Sequence, residues 1–394
     1  MACRVLLTTT VGWPSVARLA YGFAAASCIV DAHASDGAPV VSSRYVRAAY
    51  VYKPLAPIAS LRAAISQSEP DLVVPCDDRA VTHMLALYAE VKGVELLLSA
   101  LIERSLGELT SYPEMMSRYD FMERARSLGV RVPKTRPMIH DGDVDRFVDE
   151  VDLPIVLKVD GSWGGEGVIV ARSRTEARAG WRKLSMAPSR LRSLVRAVRR
   201  RDAHYLNAAI SPSAAKISAQ KFVAGRPAAS AFACWRGKVL GAIYYDVLVA
   251  DGEIGPPNVI RRVDCPEMES ASREIARHYR LSGIHGMDFL RDATGAVHLV
   301  EINPRATQGG TLAFGPGRDL PSALVSCLQP LAGTRAPILN DTVAIFPREW
   351  QRDPASPWLQ SAHHDVPWDD PAVLLASLRR PSLPKSPTRQ PLAA

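Results

Sequence analysis

The chain has 394 residues, 47% hydrophobic and 22% charged, an ordinary globular composition with length for two or three domains and a substantial core. Lys and Arg outnumber Asp and Glu by 48 to 40, but Arg190, Arg192, Arg196, Arg199, Arg200 and Arg201 crowd into one short stretch without interleaved aromatic residues, which reads as a solvated helix face and disfavours a nucleic-acid partner. No apolar run is long enough to span a membrane, and none of the six cysteines stands in a C-x-x-C pair, which argues against zinc and redox motifs and fits reduced thiols in a cytoplasm.

Residues 4–10 read as a buried strand rather than a signal peptide, because Arg18 interrupts the apolar run that follows. Gly12 and Pro14 open a helix to about Ala26. Strands are expected at 28–32 and 48–52, a helix over 57–68, a strand at 71–75, a helix over 79–91 capped by Asp77 or Asp78, and a closing strand at 94–98. This alternation predicts a parallel, doubly wound sheet. No G-x-G-x-x-G follows the first strand, so a dinucleotide fingerprint is lacking. Ligands of such sheets lie beyond the C-terminal strand ends, which makes Thr8, Thr9, Asp31, Asp77 and Asp78 candidates for a pocket, or for turns and caps.

Phe121, Ala125 and Leu128 recur at helical spacing, and Gly129 ends that helix. Val130 to Pro133 leads into an extended segment. Residues 154–170 read as two strands around a glycine-rich loop over 161–167. Gly161, Gly164, Gly165 and Gly167, with Ser162 among them, let backbone N–H groups turn inward and cradle phosphate oxygens. Lys158, in an otherwise apolar strand, needs an anionic partner and would neutralise the α- and β-phosphates. Residues 172–216 carry no assigned chemistry beyond substrate gating. A strand over 217–223 follows, then a hairpin around Arg236-Gly237. Arg261 and Arg262 enter a short strand and are candidates for a substrate carboxylate.

Residues 284–311 are the most informative. They read as two strands joined by Arg291-Asp292-Ala293-Thr294-Gly295. Glu301 and Asn303 lie two apart on one strand and share a face. If Asp288, on the other arm, faces that side too, three oxygen ligands converge into a hard-cation site suited to Mg²⁺. The glycine-rich stretch 307–311 reads as a substrate-contacting loop.

Asp288, Glu301 and the following Asn303-Pro304-Arg305 resemble the metal hairpin of the ATP-grasp superfamily. The segment around Arg118 and Gly-Val-x-Val-Pro, the Lys158 strand with its glycine loop, and the 217–223 strand resemble the family's other parts in the right order. The resemblance covers about residues 1–335. It implies a Rossmann-like domain over 1–112, an ATP-grasp domain over 113–335 with lobes 113–216 and 217–335, and leaves 336–394 as a small appendage with a disordered tail. The fold class is thus α/β, with α+β character in the ATP-grasp part. By resemblance, Asp288, Glu301 and Asn303 hold Mg²⁺ (or Mn²⁺) against ATP, and Arg305 meets the γ-phosphate or an acyl phosphate. Asn303, Arg305 and Lys158 are then the catalytic set. Arg118 stands where the family usually has a phosphate-binding lysine. Gln220 would accept from the adenine amino group, with Lys221, Phe222 and Val223 along the ring edge. The family usually has glutamate at Gln220, and Pro227 stands near its ribose-binding acid. The implied activity is ATP-dependent ligation of a small carboxylate to an amine through an acyl phosphate, and a homodimer is a possible assembly. A kinase, a carboxylate–thiol ligase and a non-enzymatic nucleic-acid binder are the alternatives.

Overall fold

The computed structural model describes residues 2–161, 167–186, 216–252, 255–330 and 333–378. The first unit is a parallel sheet of β1 (Arg4–Thr8), β2 (Ile29–Ala34), β3 (Val46–Val51) and β4 (Leu72–Pro75), in the order β3-β2-β1-β4. Helices α1 (Pro14–Ala25) and α2 (Pro57–Ser68) connect β1 to β2 and β3 to β4, and α3 (Asp78–Val91) follows β4. Pro14 starts α1 and Asp77 caps α3 by accepting from the Ala80 amide at 2.9 Å. The strand expected at 94–98 is not there. Residues from Leu96 form α4 (Leu96–Leu106), in which Ser99, Ile102 and Leu106 are buried while Leu96 and Leu97 are exposed. The leucine run suggested a strand by composition, but burial recurs every three or four residues, so helical periodicity governs.

After α5 (Tyr112–Met116) and α6 (Arg118–Ser127) the chain enters an antiparallel four-stranded sheet. It contains β5 (Thr135–Met138), β6 (Ile155–Val159), β7 (Val168–Ala171) and β8 (Ile217–Lys221), ordered β5-β8-β6-β7, with α7 (Asp141–Val151) and α8 (Arg174–Ser185) against it. Strand alternation divides this sheet cleanly. Ile155, Leu157, Ile217, Ala219 and Ala171 pack with Val144, Phe147 and Ala177 of the two helices. Lys158, Ser218 and Gln220 occupy the other face. The lobe boundary expected at 216/217 is therefore displaced. Ile217–Lys221 lies between β5 and β6 of the first lobe, because its alternating apolar residues complete that lobe's core.

The second lobe is a seven-stranded sheet: β9 (Gly225–Trp235), β10 (Lys238–Ala250), β11 (Pro257–Arg262), β12 (Gly283–Asp292), β13 (Val297–Asn303), β14 (Thr342–Ala344) and β15 (His363–His364), ordered β13-β12-β9-β10-β11-β14-β15. One face, with Phe232, Met287 and Phe289, packs on α9 (Pro266–His278), α4 and α6. The opposite face, with Ala231, Ile243, Tyr245 and Ile284, shares a core with α1 and with α10 (Leu320–Val325). The region after 335, expected as an appendage, completes this sheet instead. It adds β14 and β15, α11 (Arg348–Arg352) and α12 (Trp358–Ser361), and ends in α13 (Pro371–Leu378). Asp365 accepts from Arg18 at 2.7 Å and Asp370 from Ser43 at 2.8 Å, tying the segment back to the N-terminal unit. The tail beyond 378, and the Arg-rich 190–201 run, lie outside the described residues.

Candidate active site

The acidic hairpin forms, with a register shift that plain alternation would not give. Asp292 caps the turn by accepting from Thr294 and Ala296 amides at 2.9 and 3.1 Å, and Gly295 takes a φ of 88°. Asp288 lies opposite Glu301, and Gly286 opposite Asn303, so all three polar side chains share one face. Phe289 pairs with Leu299, which leaves Val300 as a bulge; bulges re-aim groups beside sites. The Val300 carbonyl accepts from the Lys158 ammonium at 3.4 Å, across the cleft between the two sheets.

Hydrogen bonds then join the cluster. Asn303 donates through Nδ2 to Asp288 Oδ2 at 3.0 Å. Arg305 donates to Asn303 Oδ1 at 3.2 Å and to Asp78 Oδ2 at 3.1 Å, and its guanidinium lies 5.1 Å from the Trp13 ring centre. Arginine only donates, so the amide of Asn303 has one orientation that satisfies both neighbours. Arg118 opens α6, whose cap is Ser117, and its Nη2 meets Glu301 Oε1 at 2.8 Å while Nη1 donates to the Val159 carbonyl. Its backbone amide donates to Asp160 at 3.2 Å.

The electrostatics follow from burial and from like charges facing each other. Burial lifts the Asp288 carboxyl to about 6, and Glu301 pushes it the same way, against Asn303, Arg305 and Lys158. Burial also raises Glu301, yet Arg118 and Lys158 outweigh it and hold that group below its ordinary range. Burial lowers the Lys158 ammonium to about 8, against the pull of Glu301. Two carboxylates held face to face, with an amide oxygen beside them, are hard donors whose repulsion a divalent cation would relieve. Among the described residues no three His, Cys, Asp or Glu side chains form a metal cluster. A cation here would rest on two acids and Asn303.

No protein-family model matches this chain, and no curated protein sequence does. Solved structures match it well. Carboxyaminoimidazole ribonucleotide synthase from Aspergillus clavatus, complexed with ATP, is 13% identical over 84% of this chain and 79% of its own, with a TM-score of 0.59. Biotin carboxylase from Campylobacter jejuni, as a β,γ-ATP complex, is 14% identical over 87% and 74%, with a TM-score of 0.60. N5-carboxyaminoimidazole synthetase from Staphylococcus aureus, complexed with ADP, is 11% identical over 85% and 78%, with a TM-score of 0.55. The chain has the ATP-grasp fold.

In the ATP-grasp frame, Lys158, Arg118, Asp288, Glu301, Asn303 and Arg305 meet in one cleft, linked by the contacts above. Gly161 and Gly167 flank the glycine loop with φ of 70° and 82°, and Val159 pairs with Gly167 at 3.0 Å. Ser162, Gly164 and Gly165 lie outside the described residues. Gln220 is buried on the cleft face of β8 and donates through Nε2 to Thr135 Oγ1 at 3.3 Å. Two neighbouring amides expected at the adenine edge are engaged within the lobe. The Lys221 N–H donates to the Lys134 carbonyl at 2.8 Å and that of Phe222 to the Pro154 carbonyl at 3.4 Å. Val223 follows them into β9.

Other candidates part from the site. Asp77 accepts from Thr9 Oγ1 at 2.9 Å and caps α3, and Asp31 receives the Arg47 guanidinium at 3.0 Å, so both serve the N-terminal unit. Asp78 does join the site, through Arg305. Arg262 pairs with Asp341 at 2.7 Å and lies over Phe314, while Arg261 donates to Thr342. They belong to β11, two strands beyond β9 in the sheet order, and neither reaches Asp288. The 307–311 loop packs tightly over the sheet: a Cβ on Gly309 would come within 2.5 Å of the Tyr245 ring, and one on Gly286 within 2.4 Å of Thr307. Sequence reasoning missed Trp13, which carried no signal beyond its place in the first βα loop, and Thr135, whose place after a Val-Pro-Lys step marked only the start of a strand.

Proposed function

We propose that this protein is an ATP-dependent carboxylate–amine ligase. A substrate carboxylate oxygen attacks the γ-phosphorus of ATP, the bond to the β–γ bridging oxygen breaks, and ADP leaves. The amine then attacks the acyl carbon of the resulting acyl phosphate, the C–O bond breaks, inorganic phosphate departs, and the amine loses a proton. The carrying observation is that Lys158 of one lobe reaches the bulge of the Asp288/Glu301 hairpin of the other, with Arg118 bonded to Glu301 and Arg305 to Asn303.

Phosphoryl transfer asks a protein chiefly for positioning and charge neutralisation. Lys158 and Arg118 approach from the first lobe and α6 and would neutralise phosphate oxygens. Arg305, braced by Asp78, Asn303 and Trp13, presents a fixed fork to the transferred phosphoryl group. Asp288, Glu301 and Asn303 would hold Mg²⁺, with Mn²⁺ as a substitute. That ion, when bound, supplies charge stabilisation at the β- and γ-phosphate oxygens. The substrates are small molecules. The cysteines of the described chain are all free thiols, which suits a reducing compartment such as the cytoplasm. Among the described residues no helix is long and apolar enough to cross a membrane.

The test is a phosphate-release screen with Mg-ATP over carboxylates and amines, with hydroxylamine to trap the acyl phosphate. Hydroxamate formation with one class of acid supports the proposal. A phosphorylated product without hydroxamate identifies a kinase, and turnover only with thiols identifies a thiol ligase. Absence of any melting-temperature rise at millimolar Mg-ATP, which occupancy of the native state must produce, would sink the nucleotide reading itself.

A further inference from the structure

The cleft face of the first lobe carries a hydrogen-bond relay that constrains what its buried amide can recognise. Thr135 of β5 lies opposite Gln220 of β8, and both side chains are buried, at 2% and 3% exposure. Thr135 Oγ1 donates to the Pro133 carbonyl at 3.0 Å. A carbonyl oxygen can only accept, so the single hydroxyl proton of Thr135 is committed to it. The hydroxyl therefore has only lone pairs to offer Gln220. The 3.3 Å contact is satisfied only when Gln220 turns its NH₂ group towards Thr135, and Oε1 then points away from the hydroxyl. An isolated glutamine could flip and serve as donor or acceptor. This one is held as an acceptor. Gln220 shares its face with Ser218 and Lys158, the face turned from the lobe's apolar core and towards Val300 of the other sheet.

We infer that Thr135 is a positioning residue for base choice: by fixing the Gln220 amide it selects a nucleobase that presents an exocyclic amino group, as adenine does, over one that presents a keto oxygen at the same edge, as guanine does. This rests on the nucleotide reading of the cleft given above and adds its specificity. Gln220 would meet the base, and Thr135 acts through Gln220. A site built to accept from an amino group leaves its acceptor facing another acceptor when the keto base enters, which is a strong basis for rejection.

The experiment measures the dissociation constants of Mg-ATP and Mg-GTP for the full chain by titration calorimetry, and takes their ratio. The wild type should prefer ATP at least tenfold. Thr135→Val removes the lone pairs and frees the amide to rotate, so the preference should fall by about tenfold, the worth of one hydrogen bond or somewhat more. Thr135→Ser keeps the hydroxyl and should keep the preference. Thr135→Val with Gln220→Glu should regain it, because both carboxylate oxygens accept and rotation no longer matters. A merely structural Thr135 would weaken both nucleotides together and leave the ratio unchanged. That result overturns the inference, as does a wild type that binds GTP as well as ATP. If Thr135→Val does not fold, Gln220→Glu alone decides: its preference for ATP should equal or exceed that of the wild type, and a loss overturns the relay. A wild type that binds neither nucleotide overturns the proposed function as well, so the two failures are distinct.

Discussion

Arg118→Ala removes a guanidinium that lies between the two lobes. In the native chain its Nη2 meets Glu301 at 2.8 Å, with side-chain exposures of 12% and 32%, and Nη1 donates to the Val159 carbonyl. A hydrogen bond to a charged group of this kind contributes roughly 1.5–3 kcal/mol. Lys158 still faces Glu301 after the substitution, so the stability loss should fall at the lower end, about 1.5 kcal/mol. If the guanidinium also meets ATP phosphates, the ATP dissociation constant or kcat/KM should worsen by ten- to a hundredfold, the same interaction expressed as binding. Arg118→Lys separates charge from geometry. A lysine ammonium can neutralise Glu301 or a phosphate, but it cannot span Glu301 and the Val159 carbonyl with a planar fork. Partial recovery of ATP binding assigns the role to charge, and none assigns it to the fork. The assays are thermal unfolding with and without Mg-ATP and initial rates of phosphate release. An Arg118→Ala protein whose stability and ATP affinity both stay within about 0.5 kcal/mol of wild type, the range of ordinary surface substitutions, would refute the reasoning and remove Arg118 from the site.

Three further outcomes are expected. Glu301→Gln and Asp288→Asn should each lower turnover a hundredfold or more by removing charge from the proposed ion site while circular dichroism stays native; near-normal turnover in both would make the hairpin structural. Arg335→Met should destabilise the fold by about 3–5 kcal/mol, because it leaves Asp319 buried and unpaired; the native pair has side chains only 6% and 8% exposed at 2.8 Å, and a urea midpoint unchanged from wild type would contradict this. Stability should fall on acidification through two histidines: burial lowers His33 and His285 to about 4, below the ordinary 6.5, so the unfolded chain takes up protons first and stability present above pH 6.5 is lost as pH falls towards 4, on the order of 3 kcal/mol for each group. His33→Gln should show a shallower drop in that window, and an identical pH profile would assign the loss to other groups.

The site was legible where chemistry and strand period coincide. Glu301 and Asn303 could be placed on one face because alternation within a strand is strict, whereas Asp288 faces them only through the register shift at Val300, which no local signal marked. Lys158 was legible because an apolar strand does not keep a lysine without a reason. The N-terminal sheet was legible from alternating strands and helices, apart from residues 94–98, where leucine-rich composition concealed a helical period. What the sequence did not reveal depends on long-range contacts. Nothing local tells that Arg118 will reach Glu301, 183 positions away, or that β8 will insert between β5 and β6. The same holds for the C-terminal region. Its Pro-rich punctuation suggested a loose appendage, yet Val343 and Ile345 are core residues of the large sheet.

The Arg118–Glu301 pair also bears on how the cleft would change when loaded. Glu301 is the acid held low by its cationic neighbours, and its Oε1 is engaged by Arg118. Asp288 is the acid that burial and Glu301 push up, and its Oδ2 accepts from the Asn303 amide. A divalent cation would therefore enter between one carboxylate already neutralised by a guanidinium and another already hydrogen-bonded by an amide. Each acid keeps a second oxygen for it. If phosphates arrive with the ion, Arg118 has a second anion within its reach, and its fork can divide between Glu301 and phosphate where a lysine would have to choose. Arginine at this position thus ties the end of β6 in the first lobe, through the Val159 carbonyl, to the acidic hairpin of the second before any nucleotide binds. The coupling is measurable: in Arg118→Lys, the melting-temperature rise on adding Mg-ATP should exceed that of the wild type if the free protein loses more from the substitution than the complex does, and should be smaller if the phosphates depend on the fork more than Glu301 does.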